Sequence, residues 1–186
     1  MASTAMREVR VEAATPESVA RFGQLLGVHD HVKPLPVGFY EGKVSVYAPV
    51  EFQSDEETQL HLATVNRREM QVQWMERHFK HTQTFIPLEG KAFVVVLAPP
   101  NDDDLPDLAQ VRALLFDGSC GFTMKKGTWH EFPFALVDGS NVIVILRNET
   151  ARNLMKDNVI DGEAHGPDLD KKNLVVRTGV TLEVRM

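Results

Sequence analysis

Short runs of β-branched and aliphatic residues, separated by Gly, Pro, Asn and Asp, constrain this chain more than any other feature. They are KVSVYA (43–48), KAFVVVLA (91–98, closed by Pro99 and Pro100), VRALLF (111–116), NVIVIL (141–146), NLVVR (173–177) and VTLEVRM (180–186). Runs this short and this rich in valine fit a pleated surface, and the turn residues between them bring successive strands back antiparallel. The predicted fold is therefore all-β, a sandwich or barrel. One helix is marked near the start, with Thr15 as N-cap, Pro16 at the first helical position, Val19, Phe22, Leu25 and Leu26 on one face and Gly27 as a stop. The segment LAQVRALL fits a short helix after Pro106 and Asp107 or a strand. Residues 147–173 are polar and turn-rich, with a weak helical pattern around Leu154 and Met155. They predict a long surface excursion of the kind that covers or borders a site.

A chain of 186 residues with 43% hydrophobic content has the size of one domain, 1–186. Its net charge of -6 gives no attraction for nucleic acid or an anionic membrane, and no apolar stretch is long enough to span a bilayer as a helix. The N-terminus lacks the apolar centre of a secretory signal, and the lone Cys120 cannot form an internal disulfide. A cytoplasmic protein with a small-molecule partner is expected. The acidic runs DEE (55–57) and DDD (102–104) read as solvated loops.

The stretch WMERHFKHTQTFIPLEG (74–90) concentrates polar chemistry at the end of an apolar stripe. Alternate residues of a strand share a face, so Met70, Val72, Trp74, Glu76 and His78 lie together, with Gln71, Gln73, Met75 and Arg77 opposite. The apolar members make the first face the inner one. Glu76 and His78 then continue along it toward the mouth of the barrel, where they need partners, because unpaired burial is costly. A second stripe, His130, Phe132, Phe134 and Leu136, also carries an imidazole at its end. Two such stripes bring His78 and His130 to one cavity.

These residues resemble the cupin superfamily. Glu76, His78, Gln83 and Gly90 occupy the spacing of the first cupin motif, which usually has His in place of Glu76 and Glu in place of Gln83. Residues 125–134 match the second motif through Gly127 and His130. More specifically, Glu76-Arg77-His78, Gln83-x-Phe85-Ile86-Pro87-Leu88, Gly90, the FVVVLAP run and GTWH (127–130) are similar to the ureidoglycolate lyase family. The resemblance implies a cupin-type double-stranded β-helix, or jelly-roll barrel, and cleavage of ureidoglycolate or a related 2-hydroxy acid derivative to glyoxylate and urea, a step of allantoin and purine degradation. By analogy with cupins it also implies a homodimer. The chain departs from the family at Lys125, Lys126, Glu131 and the tail after Arg147.

Such a cleavage needs a base for the hydroxyl, an acid for the leaving nitrogen and a cation for the carboxylate. Glu76, His78 and His130 are the expected catalytic residues, Gln83 orients substrate, and Lys126, on the strand face of Phe122 and Met124, either holds the carboxylate or extends from the strand end to water. The same Glu76, His78, Gln83 and His130 form an alternative ligand set for one divalent metal ion. A non-catalytic cupin that binds a small carboxylate or sugar, and a metal-dependent oxygenase or isomerase, are the competing classes. Arg77 is expected in a structural ion pair or subunit contact, His61 on a strand, and His29, His31, His81 and His165 at the surface.

Overall fold

The computed structural model describes residues 5–27, 32–38, 40–153 and 159–186. His29 and His31, and the weak helical pattern at Leu154 and Met155, lie outside the described residues. The strands are β1 (Ala5–Ala13), β2 (Gly23–Leu26), β3 (Thr58–Val65), β4 (Gln71–Val72), β5 (Trp74–His78), β6 (Gln83–Pro87), β7 (Phe93–Ala98) and β8 (Arg112–Phe116). They continue with β9 (Gly121–Met124), β10 (Trp129–His130), β11 (Phe134–Ala135), β12 (Ser140–Arg147), β13 (Val159–Ile160), β14 (Glu163–His165), β15 (Leu169–Asn173) and β16 (Val180–Arg185). Three short helices intervene: α1 (Pro16–Val19), α2 (Asn148–Asn153) and α3 (Leu174–Thr178).

Two sheets result. The larger runs β13-β14-β15-β5-β10-β7-β8-β1-β16-β4, with β11 also on β7, and the smaller is β2-β9-β6-β12-β3. The inner core joins Phe93, Val95, Leu97, Leu114 and Phe116 of the larger sheet to Phe85, Phe122, Val142 and Val144 of the smaller. Phe116 stacks on Phe93 at 4.9 Å and meets Phe122 at 5.1 Å. The alternate residues of β7, Val94, Val96 and Ala98, enter a second core with Val9, Val72, Met75, Trp129, Leu182 and Val184. FVVVLA is apolar without alternation because both of its faces are buried. This is an all-β fold in which two sheets face each other across the inner core.

Several local expectations are corrected. Thr15 caps a helix as expected, in a capping box with Ser18, but α1 is one turn long and Leu25 and Leu26 lie on β2. Pairing with β9 decides this. A Cβ on Gly23 would lie 2.1 Å from the Thr123 carbonyl oxygen, so the glycine admits the close strand contact. KVSVYA forms no strand, and Val44 and Val46 are exposed. NLVVR was expected as a strand, but most of it is helix α3. The Asn173 side chain accepts from the Val176 N–H, and Gly179 closes the helix at φ 71°, so the caps overrule the β-branched residues. LAQVRALL resolves into both alternatives, a 3-10 turn at Leu108–Gln110 followed by β8. Strand β1, absent from the sequence reading, pairs in parallel with β16 and then β8.

The largest correction concerns 147–173. Rather than a surface excursion, it supplies α2 and three strands, and β15 pairs antiparallel with β5 so that Lys171 stands opposite Glu76 and Leu169 opposite His78. The acidic runs are also partnered. Buried Arg147 pairs with Asp55, Glu56 and Glu149, and buried Lys172 pairs with Asp104 and Asp170.

Candidate active site

Strand β5 is set apart from β4 by Gln73, whose carbonyl accepts from the Leu174 N–H. The break resets strand parity. Val72 and Met75 both enter the second core, while half-buried Trp74 shares a cavity with Glu76. Beyond the break the expected division holds: Glu76 registers with His130, and His130 with Leu97 of the inner core. Arg77 turns away, forms an ion pair with Asp170 at 2.9 Å and lies over the Trp129 and Phe79 rings at 4.1 and 4.7 Å. It is a structural ion pair.

Glu76 Oε1 lies 3.5 Å from His130 Nε2 and 4.0 Å from His78 Nε2. His130 Nδ1 is 3.1 Å from the Thr128 carbonyl oxygen, which can only accept, so Nδ1 carries a proton and a neutral ring presents its lone pair from Nε2. Burial pushes the Glu76 carboxyl up, but His130 at 3.5 Å, with the charges of His78 and Lys171, outweighs it and holds the group at about 2. Burial and the charge of His130 push His78 down to about 3. At neutral pH the pair is therefore a carboxylate beside a neutral His78.

A cavity of about 260 Å³ opens over this cluster, lined by Trp74, Glu76, His130, Glu131, Phe132 and Lys171. That is slightly below the usual range for ligand pockets and suits a small substrate. Lys171 Nζ lies 5.5 Å from the Trp74 ring centroid. Burial raises the Glu131 carboxyl, and Arg68, at 3.1 Å, opposes the rise.

Lys126 is not where the sequence put it. Strand β9 ends at Met124, so face parity does not extend to residue 126, which sits in the following turn and is not among the cavity-lining residues. The cation over Glu76 is Lys171, which periodicity around the motifs had no means of finding. Gln83, first residue of β6, is buried with its Oε1 unpartnered. His81 is another correction. Expected outside, it is fully buried, with Nδ1 3.0 Å from Asp168 Oδ2 and its ring 4.6 Å from that of His78. His61 lies on β3 as expected, and exposed His165 ends β14.

Ligating atoms of Glu76, His78 and His130 lie within 4.8 Å of one another, and the His78 and His130 Nε2 atoms are buried without a hydrogen bond. Two imidazoles, a carboxylate and the free amide oxygen of Gln83 fit a divalent first-row metal in donor type.

Fold and site together define an all-β, two-sheet protein with a carboxylate–imidazole cluster beneath a small cavity. Within that class the chain belongs to the ureidoglycolate lyase family, whose model, described as ureidoglycolate lyase, matches residues 6–165. A protein of Azotobacter vinelandii named ureidoglycolate lyase is 28% identical over 151 residues, covering 80% of this chain and 90% of the relative. One of Burkholderia mallei with the same name is 36% identical over 89 residues, 48% of this chain and 51% of the relative, and one of Schizosaccharomyces pombe is 26% identical over 145 residues, 67% and 76%. A structure of RmlC from Streptococcus suis in complex with dTDP-D-xylose overlaps 52% of this chain and 48% of that chain at TM-score 0.32 and 9% identity, too distant to bear on the site.

Proposed function

We propose that this protein cleaves ureidoglycolate to glyoxylate and urea, a carbon–nitrogen lyase step of allantoin and purine breakdown. The observation that carries the reading is Glu76 held ionised between His130 and His78, with Lys171 across from it over one small cavity. The substrate hydroxyl gives its proton to Glu76, its oxygen becomes the glyoxylate carbonyl, the carbon–nitrogen bond breaks, and the proton passes from Glu76 through His130 Nε2 to the departing urea nitrogen, which restores both groups. Neutral His78 stands 4.0 Å from the same Glu76 oxygen that His130 faces, Lys171 takes the substrate carboxylate, and the unpartnered Gln83 amide serves the ureido group.

Unsatisfied imidazole nitrogens also favour a metal-assisted version. Glu76, His78, His130 and Gln83 would hold the ion, which would act as a Lewis acid on substrate oxygens. Pure protein incubated with ureidoglycolate is expected to release glyoxylate and urea in equal amounts; no glyoxylate, with or without added divalent metal, would reject the substrate. Activity that survives complete chelation leaves the acid–base version, and activity lost on chelation and restored by metal selects the other.

The proposal includes a homodimer in the cytoplasm. Support for the dimer is the outer face of the smaller sheet, where Leu60 and Leu62 of β3 are 67% and 64% exposed beside Ile145 and Ile143 of β12. A molar mass of twice the chain by light scattering is expected, and a monomer at micromolar concentration would contradict it.

A further inference from the structure

We propose that His78, His81 and Asp168 form a divalent-cation site behind the Glu76 cluster, sharing only His78 with it. The site goes beyond the lyase reading and does not depend on it. His81 and Asp168 are fully buried and His78 is 3% exposed. The Nδ1 atoms of His81 and His78 stand 3.0 and 3.9 Å from the same Asp168 oxygen, Oδ2, and neither has a hydrogen bond. Ligands on a tetrahedral ion with bonds of about 2.0–2.2 Å stand roughly 3.4 Å apart, a spacing that the two distances to Asp168 Oδ2 bracket, and ligating atoms of all three residues lie within 4.8 Å of one another.

Charge points the same way. Asp168 accepts from the Lys80 backbone N–H at 2.7 Å and the Thr150 hydroxyl at 2.5 Å, both neutral donors. Among the described residues its ion-pair partners are the two imidazoles alone. A fully buried carboxylate without a fixed cation is costly, and a metal ion between it and two unpartnered nitrogens satisfies all three groups at once. Two imidazoles and one carboxylate suit zinc, cobalt or ferrous iron, and Thr150 with the Lys80 N–H would orient the ligating carboxylate. A metal on Nδ1 leaves the His78 proton on Nε2, which faces Glu76 Oε1 at 4.0 Å. The ion would thereby fix the tautomer that supports Glu76.

The test uses full-length protein, chelated, dialysed and titrated with Co²⁺, followed by visible absorption and equilibrium dialysis. Wild type, His130→Ala and Glu76→Gln are expected to bind Co²⁺ alike, whereas His81→Ala and Asp168→Asn weaken binding by at least about tenfold. His81→Gln, which fills the ring's space, gives the same result if His81→Ala does not fold. Two outcomes overturn the proposal. One is no Co²⁺ uptake by wild type, which leaves His81 and Asp168 as a buried ion pair. The other is uptake lost in His130→Ala and kept in the His81 variants, which places the ion on the Glu76 cluster. Glyoxylate release plays no part in this readout, so failure of the lyase reading and failure of the metal site are separable.

Discussion

A carboxylate oxygen placed 3.5 Å from one imidazole and 4.0 Å from another has its protonation set by them, and on this ground Glu76 is placed at the centre of the proposed chemistry. Lys171 adds a charge from the neighbouring strand. Because it is proposed to bind the substrate carboxylate in ground and transition states alike, Lys171→Met should raise KM by about tenfold or more with kcat little changed. Steady-state glyoxylate kinetics check this; a fall in kcat at unchanged KM would remove Lys171 from binding. At this scale the sequence was legible where strand parity applies unbroken, as in Glu76, Arg77 and His78. It misled at His81, where a position off the cupin spacing read as an exposed turn. Its burial depends on Asp168, 87 residues further on, a contact no local pattern carries.

Elements show the same division. The β-branched runs of β7, β8, β12 and β16 were readable because their burial on one or both faces is written in their own residues. Strand β15, LDKKN, has no such signature. It is held to β5 by a contact that becomes visible only when distant charges meet, Arg77 with Asp170, while its Lys172 pairs with Asp104 and with Asp170 of the same strand. Asp170 is 7% exposed and Arg77 5%, so removing the carboxylate leaves the buried Arg77 guanidinium without its ion pair. Asp170→Ala should therefore cost about 3–5 kcal/mol of unfolding free energy. Urea unfolding measures this, and a loss under about 1 kcal/mol would mean that β15 is held by backbone pairing alone.

Over the whole molecule, the shifted groups give a defined acid response. Burial keeps His78 near 3 against an ordinary 6.5, so the unfolded chain takes up this proton first and stability begins to fall as pH drops through about 6.5. Glu76 and Glu163 are each held at about 2 against 4.5, Glu163 by the Arg177 hydrogen bond. Their contributions are complete above pH 4.5 and disappear as pH falls toward 2. Each group changes stability by at most about 1.4 kcal/mol per pH unit, so the decline steepens below pH 4.5. Urea midpoints of chelator-treated protein at pH 7.5, 5.5 and 4 should show this acceleration; a flat profile from 7.5 to 4 would contradict the buried neutral His78. The two-sheet architecture was legible from strand runs and turns, whereas the return of the tail beside the motif strand was not, because it rests on pairing across the whole chain.

The central claim, that Glu76 takes the hydroxyl proton while His130 serves the leaving nitrogen, is tested most directly by kcat for glyoxylate release from ureidoglycolate in wild type and folded Glu76→Gln. The amide keeps the size of the side chain and loses the base, so kcat should fall by about 10²–10⁴ with the cavity intact. A Glu76→Gln protein that turns over within about threefold of wild type would contradict it.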